Sequence, residues 1–190
     1  MAQLTNSSNS GMRPYRSAYG SPEIRHYQES TAASTFVIRL GDIVSFDTVV
    51  ASANHRIVKA PSSYGTGVNL LGTTNVLGVA LGASTSDGST TGLGSIGRLI
   101  AVATPGYGTE FLGYLRGGLP AVSSMIGLQR AVIYDSTLQI FNIDSTNSTA
   151  ALATVVVTGI SSGETESSLG DTNGAVIFRF LSTQTAPAVR

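Results

Sequence analysis

The stretch Phe36-Val-Ile-Arg-Leu-Gly-Asp-Ile-Val-Ser-Phe-Asp-Thr-Val-Val50 decides how the chain folds. Apolar β-formers crowd both sides of Gly41-Asp42, where the glycine can take φ > 0 and the aspartate can bond a nearby backbone N–H. Two strands joined at a tight corner are expected there. Two further apolar runs, Asn75 to Gly82 and Arg98 to Thr104, are bounded by Gly, Ser, Thr or Asp. They are expected to partner the first pair in one small sheet or barrel.

Outward from this centre the pattern is of short strands between Gly/Ser/Thr loops. Strands are expected at about 36–40, 43–50, 56–60, 76–82, 97–104, 109–115, 119–122, 130–135, 138–143, 151–160 and 174–181, with a hairpin turning at Asp135-Ser136-Thr137. Helix evidence is confined to a turn or two between Ser123 and Arg130. The fold class is all-β, a small β-barrel or sandwich body with an extended N-terminal arm. Two loops, 61–74 and 83–94, are longer than a compact domain needs.

Residues 1–34 form that arm, and 35–190 the β-rich body, with residue 119 as the point where it could divide. The arm is rich in Ser, Asn and Gln, is broken by Pro14 and Pro22, and sustains no apolar period. It cannot bury enough to fold by itself, so its order is expected to come from a partner. Arg13, Tyr15, Arg16, Tyr19, Arg25 and Tyr27 are the candidate contacts, because they combine apolar area with a polar handle.

Charged residues make up 12% of the chain, where an ordinary soluble domain has about 25%. Lys59 is the only lysine beside ten arginines, a bias found on surfaces that another protein covers. Net charge is zero, which removes the electrostatic attraction on which nucleic-acid binding depends. With no cysteine there is no disulfide framework, and no run approaches the roughly 18 apolar residues of a membrane span. The opening residues carry no signal-peptide pattern, so the chain is expected to stay in the cytosol or leave by another route. The sequons at Asn6 and Asn147 then read as chance matches.

No motif reads as a catalytic, cofactor or metal site. Gly92-Leu-Gly-Ser-Ile-Gly97 has the letters of a dinucleotide fingerprint but is followed by a strand instead of a helix. His55 and Thr172 faintly resemble a protease pair, yet threonine crowds the acyl position and no third residue orients the histidine. His26 and His55 lie far apart, with no carboxylate at ligand spacing. Asp171-Thr-Asn-Gly174 lacks the glutamate of a calcium loop and reads as an Asx-turn. Asp42, Asp47, Glu110 and Asp135 form no evident acid pair. The chain is therefore expected not to be an enzyme and to need no cofactor.

Three stretches, Leu40-Gly-Asp-Ile-Val-Ser-Phe46, Val76-Leu-Gly-Val-Ala-Leu81 and Ile100-Ala-Val-Ala through Glu110-Phe111, resemble the capsid decoration, or cement, proteins of tailed bacteriophages. In these a Gly-Asp-[Ile/Val]-Val corner precedes a Leu-Gly-Val-Ala strand and a strand ending in an aromatic residue. The resemblance implies a β-rich virion protein on the capsid exterior, assembled in the host cytoplasm. Such a protein commonly sits as a trimer at local threefold positions, clamping neighbouring subunits of the major capsid protein; neither nucleic acid nor membrane is an expected partner. The chain departs from the shortest members in its arm, its long loops and everything after Leu119. A fibre or tail module binding a host glycan is the rival within the same particle, and a β-barrel hydrolase the rival outside it.

Overall fold

The Gly41-Asp42 corner closes through four backbone-directed bonds. Asp42 N–H donates to Arg39 O at 3.0 Å, and the Asp42 carboxylate accepts from Arg39 N–H at 2.8 Å. Gly41 N–H reaches Ala80 O at 2.9 Å, while Ala80 N–H returns to Asp42 O at 2.8 Å. Gly41 sits at φ 85°, the left-handed region where a side chain would be strained. Among the described residues the corner therefore feeds one strand, beginning at Ile43. The strand expected at 36–40 is absent over 38–40, where Ile38 is buried and Arg39–Asp42 are spent on the turn.

The computed structural model describes residues 11–18, 20–29, 38–46, 56–59, 62–63, 70–71, 76–83, 99–106, 108–135, 138–146, 153–161 and 169–181. In chain order the strands are β1 Arg13–Ser17, β2 Ile24–Glu29, β3 Ile43–Phe46, β4 Arg56–Lys59, β5 Ser62–Ser63, β6 Leu70–Leu71, β7 Val76–Ala80, β8 Leu99–Ala103, β9 Thr109–Arg116, β10 Gln129–Arg130, β11 Val132–Asp135, β12 Ile140–Asp144, β13 Val155–Ile160 and β14 Ala175–Phe180. Among the described residues the only helical turn is the 3-10 turn Ser123–Met125, and no helix is long and apolar enough to cross a membrane. The chain is all-β. The strand expected at 119–122 is extended coil leading into the 3-10 turn. The loop expected at 61–74 contains the short pair β5 and β6, and that at 83–94 lies, beyond Ala83, outside the described residues.

Five strands close a barrel in the order β2-β4-β3-β7-β8. Closure comes from β2, which runs antiparallel to β8 from Ile24↔Ala103 to Gln28↔Leu99 and parallel to β4 at Gln28↔Arg56 and Glu29↔Ile57. A barrel this small is filled by side chains. Ile38, Val44, Ile57, Leu77, Ala80, Ile100 and Val102 fill it, with Tyr27 and Phe46 packed against them. Gly78 lets β7 and β8 approach: a Cβ there would lie 2.2 Å from Ala103 O.

The remaining strands form one sheet in the order β10-β13-β14-β9-β12-β11-β6-β5, with β1 against β9. β11 and β12 pair as the expected hairpin, from Val132↔Ile143 to Asp135↔Ile140. Residues facing the core from this sheet include Phe111, Leu115, Phe141, Val155, Val157, Phe178 and Phe180. Phe111 packs on Phe178 and Phe180 at centroid separations of 5.8 and 5.2 Å. The same cluster takes in Ile43, Val76, Val79 and Ala103 from the barrel and Met12 from just before β1. One core therefore spans barrel and sheet.

The N-terminal stretch is extended as expected but does not stand free of the body. β1 is bonded to β9, β2 is a barrel stave, and Met12 is 1% exposed in the shared core. The physical reason is template pairing. Strands β8 and β9 are apolar enough to form from their own pattern, and they offer backbone edges on which a polar segment pairs without an apolar period of its own. Residues 1–10, 19 and 30–34 of the expected arm lie outside the described residues.

Candidate functional site

The face of β9 opposite to that of Phe111 carries the most elaborate polar arrangement. Glu110 is 2% exposed, yet it accepts from two guanidinium groups on neighbouring strands: Arg16 Nε on β1 and Arg179 Nη2 on β14, the latter at 3.0 Å. Register explains the row. Arg16 lies opposite Glu110, Arg179 follows Phe178, which pairs with Phe111, and Val156 and Gln129 continue the row onto β13 and β10. Burial alone would raise the Glu110 carboxyl, but the Arg16 hydrogen bond and the charges of Arg16 and Arg179 outweigh it and hold it below the ordinary glutamate value. The Arg16 guanidinium is raised in return, chiefly by that hydrogen bond.

β1 shifts register between Pro14 and Arg16, which makes Tyr15 the extra residue of a bulge. Tyr15 is thereby turned outward, 48% exposed, with the Arg16 guanidinium 5.7 Å from its ring centroid. Arg13 is exposed on the same strand. A bulge and a proline on a strand at the sheet margin discourage another strand from adding there, so this edge offers side chains to a partner more readily than backbone.

The six sequence candidates therefore divide. Arg13, Tyr15 and Arg16 come together on β1. Arg25 lies on β2, half-buried, with its Nε 2.8 Å from Glu23 Oε1. Tyr27, partly buried, packs edge-on against Phe46 at 5.9 Å and against the barrel filling. Tyr19 lies outside the described residues.

The weaker chemical candidates resolve into structural roles. Asp171 accepts from Asn173 N–H at 2.9 Å, the expected Asx-turn, and Thr172 is exposed within it. His55, Asp47 and Gly92–Gly97 lie outside the described residues. Asp135 binds Arg116 at 3.0 Å, and Asp144 accepts from Thr146 N–H at 2.9 Å. With Glu23, Asp42, Glu110 and Asp171 assigned above, and Glu29 engaged as well, each described carboxylate is already committed within the chain. Among the described residues no group of His, Asp and Glu could hold a metal.

Among the described residues some buried donors lack acceptors. Asn142 Nδ2 on β12 and Arg130 Nε on β10 are sealed from solvent with no hydrogen-bond partner, in residues only 4% and 6% exposed. Sequence reading gave no sign of either, because orphaned donors are a property of the packed state. Compared with family models, curated proteins and solved structures, the chain has no match.

Proposed function

We propose that the chain is a decoration, or cement, protein of a tailed-bacteriophage head, a structural protein that binds the capsid exterior and stabilises the lattice of the major capsid protein. The observation that carries this reading is the adjacency of β3, β7 and β8. These strands hold the three short stretches on which the resemblance rests, and they lie side by side in one barrel, with Glu110-Phe111 following on β9. Three matching stretches scattered over the surface would have argued against it.

The docking face is the β1 margin, where Arg13, Tyr15 and Arg16 give a rigid aromatic and cationic set of the kind found at interface hot spots. A trimer is the form that fits local threefold positions. Its support is the low charge density and the barrel wall, where Ile24 and Leu99 on the paired strands β2 and β8 are 52% and 69% exposed. The experiment is co-sedimentation of purified protein with undecorated heads, followed by heating of the particles. Saturable binding that raises the temperature at which heads break is expected; free protein left entirely in the supernatant contradicts the reading.

A further inference from the structure

Arg130 stands at the open end of the larger sheet, on β10, the first strand in its hydrogen-bonded order. It pairs with Val155, which pairs in turn with Phe180, so its register position falls in a row of core residues. A buried donor left without an acceptor costs the fold the hydration it gave up. The Arg130 Nε is buried without an acceptor, and no described carboxylate forms an ion pair with Arg130.

The surroundings indicate what kind of partner would fit. Val157 N–H donates to Leu128 O at 3.0 Å, carrying the ladder one residue beyond β10, so Leu128 falls on the same side as Arg130. Leu128 is 42% exposed and Ile126, in the turn before it, 49%. From Gly117 to Gln129 the chain has no charged residue. The result is an uncharged, partly apolar rim beside a guanidinium whose buried Nε lacks an acceptor.

We infer that Arg130, with Leu128 and Ile126, receives a segment of a different protein that presents a carboxylate flanked by apolar side chains. Charge complementarity fixes the carboxylate, since a guanidinium binds one through two parallel hydrogen bonds. A different protein is favoured over a second copy because every described carboxylate of this chain already has an internal partner. The inference rests on the decoration reading for the partner's identity, the major capsid protein, but not for the existence of the site.

The test uses the full chain, Arg130→Met and, should that variant fold poorly, Arg130→Gln. Thermal unfolding is followed in sodium chloride and in sodium acetate at equal ionic strength, acetate being the probe. The free variant is expected to unfold at a higher temperature than the wild type in chloride, because a buried donor without an acceptor is gone. Acetate is expected to raise the wild-type midpoint more than the variant's. On undecorated heads the substitution is expected to weaken binding about thirtyfold, the size of one interface hot spot. Lower stability of both variants in both salts would mean the guanidinium is satisfied within the chain, and would overturn the inference, as would equal acetate responses. Light scattering showing self-association of the wild type that Arg130→Met abolishes would overturn the choice of partner. Wild-type protein that ignores heads but keeps the acetate difference supports the site while rejecting the decoration reading.

Discussion

The Arg16 guanidinium on β1 donates to the Glu110 carboxylate on β9, and this ion pair ties the N-terminal strand to the middle of the larger sheet. Arg179 holds the other carboxylate oxygen from β14, so one buried acid fastens three strands.

This arrangement sets a pH dependence. The folded-state value of Glu110 lies below its unfolded value, so its contribution to stability is fully present above the unfolded value and is lost as pH falls through the folded one. In urea titrations from neutral pH to below the ordinary glutamate value of about 4.3, the wild type is expected to lose a component that Glu110→Gln lacks. The gap between the two should close in acid. A gap independent of pH would mean the pair contributes nothing through charge.

Phe111 is fully buried between Phe178 and Phe180. Phe111→Ala is expected to cost about 3–5 kcal/mol, as for other large-to-small changes at buried aromatics. The denaturant midpoint measures it, and a loss below about 1 kcal/mol would contradict the shared core.

At Gly78 a methyl group would strike the backbone oxygen of Ala103 at 2.2 Å and Val102 Cγ1 at 2.8 Å, whereas at Gly82 it would meet nothing within 4 Å. Gly78→Ala is expected to cost at least about 3 kcal/mol, the top of the usual overpacking range, because backbone cannot turn aside as a side chain can. Gly82→Ala is expected to stay within about 0.5 kcal/mol. Equal effects in thermal melts would refute the close approach of β7 and β8.

The two tyrosines of the N-terminal stretch should separate stability from binding. Tyr27→Ala removes barrel filling and is expected to destabilise by about 2–4 kcal/mol. Tyr15→Ala, at an exposed bulge, should change stability by no more than about 0.5 kcal/mol and yet weaken attachment to heads. Destabilisation by Tyr15→Ala as large as that by Tyr27→Ala would remove the β1 margin as a docking face.

What was legible in the sequence is what hydrophobic pattern controls. Ile43–Phe46, Val76–Ala80 and Leu99–Ala103 carry their own β signal, and they lie together in the barrel as expected. Arg13–Ser17 and Ile24–Glu29 carry no such signal. Their pairing depends on the edges of β9 and β8, far along the chain, and on Glu110, whose role no local window displays. The packing of Tyr27 against the barrel is hidden for the same reason: alternation in a single short polar strand does not reveal which face a barrel will enclose. Arg130 stood in a run that favoured a helical turn, and its burial without an acceptor follows only from packing.

The most direct measurement is electron cryo-microscopy of undecorated heads incubated with the purified protein. The account predicts added density on the outer surface at local threefold positions, three copies each, with the Arg13 and Tyr15 edge of β1 facing the capsid subunits. Bare heads at saturating protein would contradict it, and so would single copies attached with that edge turned to solvent.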